Sequence, residues 1–208
     1  MGYLTYAPPM ASGFLTNLGR RLIVFDGSMG ATIQSLPLEA NRDYLGRENC
    51  VDILVKSRPD IIQDIHESFL AVGADVVETD TFGANKLVFA EFDQELVGWT
   101  YSINMQAAEI ARAACAKFST SDKPRFVAGS MGPGTKLISL GQTTWEAMLD
   151  SYAEQARGLI DGGADVFIIE TCQDLLQTKC AINACLDALK ERGKTADEWR
   201  LKTSATVY

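Results

Sequence analysis

The segment GGADVFIIETCQD, residues 162–174, joins the end of a predicted helix to a strand and the turn that follows it. Gly162 and Gly163 end the helix, and the apolar run Val166 to Ile169 predicts a buried strand. A carboxylate, Glu170, follows where the strand ends. This order of helix end, strand and polar turn is typical of one unit in a parallel βα array.

The same order occurs earlier in the chain, where Gly73-Ala74-Asp75-Val76 leads to Glu78. Gly73 and Gly163 are 90 residues apart, which suits two βα units of roughly 45 residues each. Glu78 follows its glycine by five residues and Glu170 by seven. Because side chains alternate along a strand, this difference of two predicts that both carboxylates face the same way. We interpret Asp75 and Asp165 as structural residues at the strand entries.

Predicted strands and helices alternate along the chain. The strands are Leu22 to Phe25, Asp75 to Glu78, Phe126 to Ala128, Val166 to Ile169 and Ser204 to Val207, with helices of about 59–72, 100–118, 145–160 and 175–192 between them. A (β/α)8 TIM-type barrel has eight such units in about 250 residues. The sequence therefore predicts an α/β fold, a partial TIM-type barrel with only the first five strands. This domain occupies residues 22–208, after an N-terminal extension of residues 1–21.

An open, doubly wound sheet stays possible on this pattern. A nucleotide-binding function is not expected, because no GxGxxG follows the first strand and no P-loop motif occurs.

Composition excludes several classes of partner. The chain has 208 residues, is 47% hydrophobic and carries a formal net charge of -8. Nucleic acids and anionic membranes need clustered lysine and arginine, so neither is an expected partner. No run approaches the roughly 18 apolar residues of a membrane span, and the N-terminus has no continuous apolar signal region. We expect a cytoplasmic protein.

The five cysteines contain no CxxC pair, and the one histidine, His66, is far from them in sequence. An odd, scattered set predicts buried thiols in a reducing compartment, and neither disulfides nor a zinc site. His66 follows core residue Ile65 in a predicted helix, which favours a surface or helix-packing role over a catalytic one.

The candidate site lies where the strands end, because parallel βα folds bind ligands there. Asp26 and Glu170 suit an ammonium group, which donates three hydrogen bonds and pairs with ionised acceptors. The backbone N–H groups around Gly27 and Ser28 suit a carboxylate. An amino-acid ligand fits this set, although Asp-Gly is also a common turn and a glutamate at a strand end is often a structural cap.

Four segments, taken together, resemble a known family: FDGSMGATIQ, RPDIIQDIHESFLAVGADVVETDTFGAN, AGSMGPGTKLISLG and GGADVFIIETCQDLLQTK. In this order they are similar to the homocysteine-binding module of cobalamin-dependent methionine synthases, within the wider family of zinc-dependent homocysteine S-methyltransferases. The resemblance covers about Leu22 to Tyr208 and implies a (β/α)8 barrel. It also implies methyl transfer from methylcobalamin to homocysteine, giving methionine.

The resemblance assigns roles to individual residues. It implies that Asp26 and Glu170 hold the amino group of homocysteine and that backbone near Gly27 and Ser28 receives its carboxylate. Ser130, after the third strand, is a weaker assignment.

The resemblance also implies cofactors and partner modules. In the family, three cysteines hold a zinc ion that binds the substrate as a thiolate, and those positions would lie beyond Tyr208. We therefore expect no metal ligand among these residues. Zinc and cobalamin would belong to the full-length enzyme, with cobalamin, folate and reactivation modules as partners, and these residues alone are expected to be inactive.

Two alternatives remain at this point. One is a homocysteine S-methyltransferase that uses S-methylmethionine or betaine. The other is a non-catalytic fragment that needs a complementary chain, because the first and fifth strands would be open edges.

Overall fold

The computed structural model describes residues 13–194 and the backbone of residues 202–204. Within them, the α-helices are α1 (Gly13–Leu18), α2 (Met29–Gln34), α3 (Leu54–Ser57), α4 (Pro59–Ala71), α5 (Lys86–Phe89), α6 (Gln94–Phe118), α7 (Trp145–Asp161) and α8 (Leu175–Glu191), and a 3-10 turn spans Val51–Ile53. The strands are β1 (Val76–Glu78), β2 (Phe126–Met131), β3 (Val166–Glu170) and β4 (Lys202–Ser204).

The strands form one parallel sheet in the order β1-β2-β3-β4, with β1 to β3 in the continuous described range. This confirms the α/β class and the alternation of strands and helices. Most of the predicted fifth strand, residues 205–207, lies outside the described residues. Tyr208, the predicted last residue of the domain, also lies outside them, so that boundary stays a prediction.

The first predicted strand, Leu22 to Phe25, is reduced to a single parallel bridge from Phe25 to Val76. Asp75 and Val76 both donate their backbone N–H to the Val24 carbonyl, at 2.7 and 3.2 Å. Among the described residues no strand pairs with the other side of this segment, and Leu22 is 90% exposed. The five-stranded partial barrel is therefore not confirmed, because one bridge does not extend into a full strand.

The two faces of the sheet have different neighbours. The face turned to α6, α7 and α8 carries Val77, Val127, Met131, Phe167 and Ile169. The opposite face is apolar in its lower part, where Val76, Phe126, Ala128, Val166 and Ile168 pack with Phe14 of α1. Because side chains alternate, this same face carries polar residues at the strand ends, namely Glu78, Ser130 and Glu170.

The aspartates at the strand entries are structural, as the sequence predicted. Asp75 Oδ2 accepts from the Val24 N–H at 3.0 Å and from Arg21 at 2.8 Å. Asp165 Oδ2 accepts from the Val127 N–H at 2.8 Å. Each carboxylate thus binds the backbone of the preceding strand segment in the sheet, which fixes the register between the two.

Helix α1 lies within the predicted N-terminal extension. Its Phe14 is 1% exposed and makes edge-to-face contacts with Phe25 and Phe126, at ring-centroid distances of 6.4 and 5.5 Å. The boundary at residue 21 stays a prediction. Within the described ranges, no helix combines the length and the apolar character needed to cross a membrane.

Candidate functional site

A cavity of about 610 Å³ opens where the strands end. Its wall includes all five residues that the sequence nominated, Asp26, Gly27, Ser28, Ser130 and Glu170. They come from three separate segments: the turn after the Phe25 bridge, the end of β2 and the end of β3. The structure therefore brings the nominated residues together, as expected for a parallel βα fold.

Asp26 is placed by the sheet. Its backbone N–H donates to the Val76 carbonyl at 3.0 Å, and its Oδ2 accepts from the Glu78 N–H at 3.0 Å. Oδ1 is buried and has no hydrogen-bond donor among the described residues. Burial, followed by the charges of Glu78 and Glu170, raises the pKa of Asp26 to about 8. The hydrogen-bonding capacity of Oδ1 is thus unused by the described residues.

Glu170 and Ser130 form a direct pair, in which the Ser130 hydroxyl donates to Glu170 Oε1 at 2.5 Å. The backbone of Ser130 is held on both sides: its N–H donates to Thr79 Oγ1 at 3.0 Å, and its carbonyl accepts from the Thr81 hydroxyl at 2.7 Å. Because the serine is fixed in this way, it holds the Glu170 carboxylate in one orientation at the cavity.

Glu78 is a third carboxylate on the same wall, and the sequence-based site did not include it. Burial, followed by the charge of Glu170, raises the pKa of Glu78 to about 7. The matching Gly-Ala-Asp-Val segments and the difference of two in the glutamate offsets already indicated that Glu78 and Glu170 share a face. That signal could have added Glu78 to the site.

Gly27 and Ser28 contribute backbone to the cavity. A Cβ on Gly27 would lie 3.0 Å from a ring carbon of Phe69, so a side chain here would crowd the packing. The Ser28 hydroxyl accepts from the Ala31 N–H at 3.2 Å and caps α2. No acceptor among the described residues takes the N–H of Gly27 or Ser28. Both donors are therefore available to a ligand carboxylate.

The remaining wall comes mainly from the segment around the 3-10 turn and from the turn after β1 that leads into α5, with Met29 and Gly30 of α2. Asp52 and Asp80 are its charged members, and Asp52 Oδ1 accepts from the Gly83 N–H at 2.9 Å. The other members are mostly apolar or small: Met29, Gly30, Asn49, Cys50, Val51, Thr79, Phe82, Gly83, Val88 and Phe92.

Charge sets the chemistry of the cavity. Five carboxyl groups line it, those of Asp26, Asp52, Glu78, Asp80 and Glu170, whereas its described wall has no lysine, arginine or histidine. Such a cavity suits a ligand with a cationic hydrogen-bond donor, since ionised acceptors bind ammonium groups with short, strong bonds.

The described residues do not fit a zinc–thiolate site. All five cysteines are buried, and burial raises the pKa of the Cys50 thiol to about 12 and that of Cys180 to about 11. No group of three or more histidine, cysteine, aspartate or glutamate side chains in the described ranges has metal-binding geometry. His66 is buried in α4, where burial lowers its pKa to about 4, so it packs as a neutral side chain. The placement of zinc-ligating cysteines beyond Tyr208 stays a prediction, because Tyr208 itself lies outside the described residues.

Comparisons with known proteins agree with this picture. A sequence model of the family described as homocysteine S-methyltransferase matches residues 23–204. The methionine synthase of Mycobacterium leprae (strain TN) is 41% identical over 180 residues, which is 86% of this chain and 15% of that protein. The methionine synthase of Mycobacterium tuberculosis (strain ATCC 25618 / H37Rv) is 40% identical over 177 residues, or 85% of this chain and 15% of that protein.

Solved structures show the same fold. The metallated form of the homocysteine methyltransferase MmuM from Escherichia coli superposes with a TM-score of 0.64 at 19% identity, covering 86% of this chain and 63% of that one. Its apo form gives a TM-score of 0.60 at 21% identity, over 91% of this chain and 61% of that one. The chain thus spans under two thirds of these structures and about one seventh of the methionine synthases it matches.

Proposed function

This chain belongs to the homocysteine S-methyltransferase family, and from that membership we propose that its residues bind the amino-acid end of homocysteine. The complete protein would transfer a methyl group from methylcobalamin to the homocysteine sulfur, giving methionine. The observation that carries the proposal is the convergence of Asp26, Glu78 and Glu170 on one cavity whose described wall has no basic side chain.

The ammonium group of the ligand is assigned to these three carboxyls. Asp26 offers the buried Oδ1 that no donor satisfies, and Glu170 offers the oxygen not engaged by Ser130. An ammonium group has three N–H donors, so it can satisfy all three carboxyls at once. Ser130 then acts as a positioning residue, because it touches Glu170 and not the reacting sulfur.

The carboxylate of the ligand is assigned to the N–H groups of Gly27 and Ser28. These donors have no acceptor in the described chain and lie beside Asp26 on the cavity wall. An amino acid carries its ammonium and carboxylate on one carbon, so neighbouring anionic and N–H surfaces suit it.

Activation of the thiol is assigned to groups outside the described residues, beyond Tyr208. When bound, zinc would supply positive charge that favours the thiolate, but the cysteines here are buried and scattered and do not fit it. We propose that zinc ligands, cobalamin, and the folate and reactivation modules belong to the full-length protein. These residues alone would then bind without catalysing.

Three predictions from the sequence are also part of this proposal. They are a first strand that becomes a regular barrel strand in the complete (β/α)8 domain, a domain that begins at residue 22, and a cytoplasmic location. S-methylmethionine or betaine as methyl donor stays an alternative. The exposed Leu22 edge also supports the second alternative, a fragment that needs a complementary chain.

Isothermal titration with L-homocysteine and 4-mercaptobutanoate tests the assignment of the amino group. The second compound keeps the thiol and carboxylate but lacks the amine. Glu170→Gln should weaken homocysteine binding about 10- to 100-fold, because a charge-assisted hydrogen bond contributes about 1.5–3 kcal/mol. Glu146→Gln, at an exposed position outside the cavity, is the matched control. Equal binding of the two compounds, or no effect of Glu170→Gln, would refute the proposal.

A further inference from the structure

Asp52 and Asp80 face the same cavity and are 7% and 5% exposed. Asp52 follows the start of the 3-10 turn, and its Oδ1 accepts from the Gly83 N–H in the turn that carries Asp80. Oδ2 of Asp80 is buried and receives no hydrogen bond from the described residues. We propose that Asp52 and Asp80 share one proton and that this carboxylic acid–carboxylate pair holds the two loops of the cavity wall together.

No cationic side chain on the described cavity wall offsets these two charges. The titratable neighbours that feel the charge of the pair are Tyr44, beside Asp80, and Cys50, beside both aspartates; both are neutral at physiological pH, since burial raises the pKa of each. Arg47, whose charge acts on Cys50, is engaged by Asp93 and Glu95. Two ionised carboxylates in this setting would repel each other at full desolvation cost.

One proton removes this cost. Protonated Asp80 can donate to the Asp52 carboxylate, which keeps its bond from Gly83. The pKa values of both groups shift in the direction that favours a bound proton. Burial and then the charge of Asp52 raise the pKa of Asp80 well above its usual value, and burial raises the pKa of Asp52 to about 6. Carboxyl pairs that share one proton in this way are known at enzyme sites.

The consequence concerns the shape of the cavity. The turn around Asp80 is tight, with the Thr81 N–H donating to the Thr79 carbonyl at 2.8 Å, and it continues into Ser130 through the Thr81 hydroxyl. Loss of the shared proton at high pH would replace an attraction between Asp52 and this turn by charge repulsion, leave the bond from the Gly83 N–H to oppose it, and loosen this part of the cavity wall. This inference about control of the site extends the proposed function. The homocysteine-binding test of the inference rests on that function, whereas the thermal-unfolding test does not.

The sign of the stability effect follows from proton linkage. Because the pKa of Asp80 is raised in the folded state, the folded chain binds more protons than the unfolded chain above about pH 3.8. Stability contributed by the protonated pair is therefore lost as pH rises toward the folded pKa. Asp80→Asn keeps the shape and supplies a permanent N–H donor to Asp52, so it should remove this loss.

The first test measures thermal unfolding of the full chain from about pH 5 to about pH 8.5, because the stability contributed by the protonated pair falls as pH rises. The melting temperature of Asp80→Asn should exceed that of the parent by an amount that grows with pH and reaches about 2–4 °C or more. Asp122→Asn, at an exposed loop position, is the matched control and should show a constant difference near zero. A melting temperature of Asp80→Asn equal to or below that of the parent at the upper pH would overturn the proposal.

Infrared spectroscopy provides a direct second test, independent of any change in folding. Because Asp26 and Glu78 also hold protons at neutral pH, the readout is the difference spectrum between the parent and Asp80→Asn. An acid C=O band that is present in the parent at neutral pH and missing from Asp80→Asn supports the shared proton. A metal cation between the carboxylates is the competing explanation. Stabilisation of the parent by potassium or magnesium chloride at constant ionic strength, abolished by Asp80→Asn and without that band, would overturn the proposal in favour of a cation site.

Homocysteine titration of Asp80→Asn and the parent separates this inference from the proposed function. The ligand amino group also titrates at high pH, so the readout is the difference between the two proteins. Asp80→Asn should retain affinity at the upper pH where the parent loses it. If neither protein binds homocysteine but the infrared band and the melting difference are present, the proposed function fails and the proton pair stands. If both bind with identical pH profiles and the difference spectrum between the parent and Asp80→Asn shows no acid band, the proton pair fails.

Discussion

Binding of an amino acid at this site should release about one proton at neutral pH, shared between Asp26 and Glu78. In the free protein the pKa of Asp26 is raised to about 8 and that of Glu78 to about 7, mainly by burial. Both groups therefore hold protons that an ammonium ligand must displace before it can pair with carboxylates.

The magnitude follows from these two values. At about pH 7, a pKa of about 8 leaves about 90% of Asp26 protonated, and a pKa of about 7 leaves about half of Glu78 protonated. An ammonium within about 4–6 Å lowers a carboxyl pKa by about 1–3 units. Most of both groups would then ionise in the complex. The logarithm of the association constant should therefore rise by about one for each pH unit near neutrality.

Calorimetric titration in buffers of different ionisation enthalpy measures the protons released. The parent chain should release about one proton at neutral pH, and Asp26→Asn should release about half a proton, the share of Glu78. Glu146→Gln again serves as control and should match the parent. Binding heats that do not depend on the buffer, with affinity that is flat in pH, would refute the assignment of the ammonium to Asp26 and Glu78.

Three further outcomes follow from the structure. Phe14→Ala should lower the free energy of unfolding by about 3–5 kcal/mol in urea denaturation, because it leaves a cavity where the buried ring was. Leu22→Ala, at a 90% exposed position, is the control and should change the free energy of unfolding by less than about 0.5 kcal/mol. Equal losses in the two variants would contradict this packing. Ser130→Ala should weaken homocysteine binding about tenfold by releasing Glu170, and unchanged affinity in calorimetry would exclude the positioning role. Val24→Lys should reduce self-association of the chain in sedimentation velocity if the exposed edge drives it, and an unchanged association constant would locate the contact elsewhere.

Much of the fold was predictable because burial in a parallel sheet leaves a strong pattern in sequence. The apolar runs at β2 and β3 and their glycine-ended helices identified these elements. Several boundaries differ from the prediction: β2, for example, continues past the predicted Ala128 to Met131. Helix α6 begins at Gln94, well before the predicted Thr100, because Asp93 caps it and Gly98 is tolerated inside it. The first strand is only a bridge at Phe25, because strand length depends on a pairing partner that local sequence does not reveal.

The functional site, like the fold, was predictable only in part. Asp26, Ser130 and Glu170 stand at strand ends, where the pattern itself predicts convergence, and they line one cavity. Asp52 and Asp80 were not included in the predicted site because both lie outside the strands and α-helices, although Asp80 falls within one of the four segments that carry the resemblance. Their role depends on packing between residues that are 28 positions apart, since 80 minus 52 is 28. Sequence periodicity carries no information about such contacts.

The acidic cavity itself argues that binding of the amino group and activation of the thiol need different surroundings. Carboxylates that attract an ammonium also oppose formation of a thiolate: the charge of Asp52 adds to burial in raising the pKa of Cys50 to about 12. A substrate thiol, with a pKa of about 8.5 in water, would be driven further from ionisation beside the same groups. Its sulfur must therefore lie away from Asp26 and Glu170 or beside a positive charge, and the described cavity wall offers no basic side chain. This electrostatic conflict is the physical reason to assign thiol activation in the complete protein to a cation supplied by other residues.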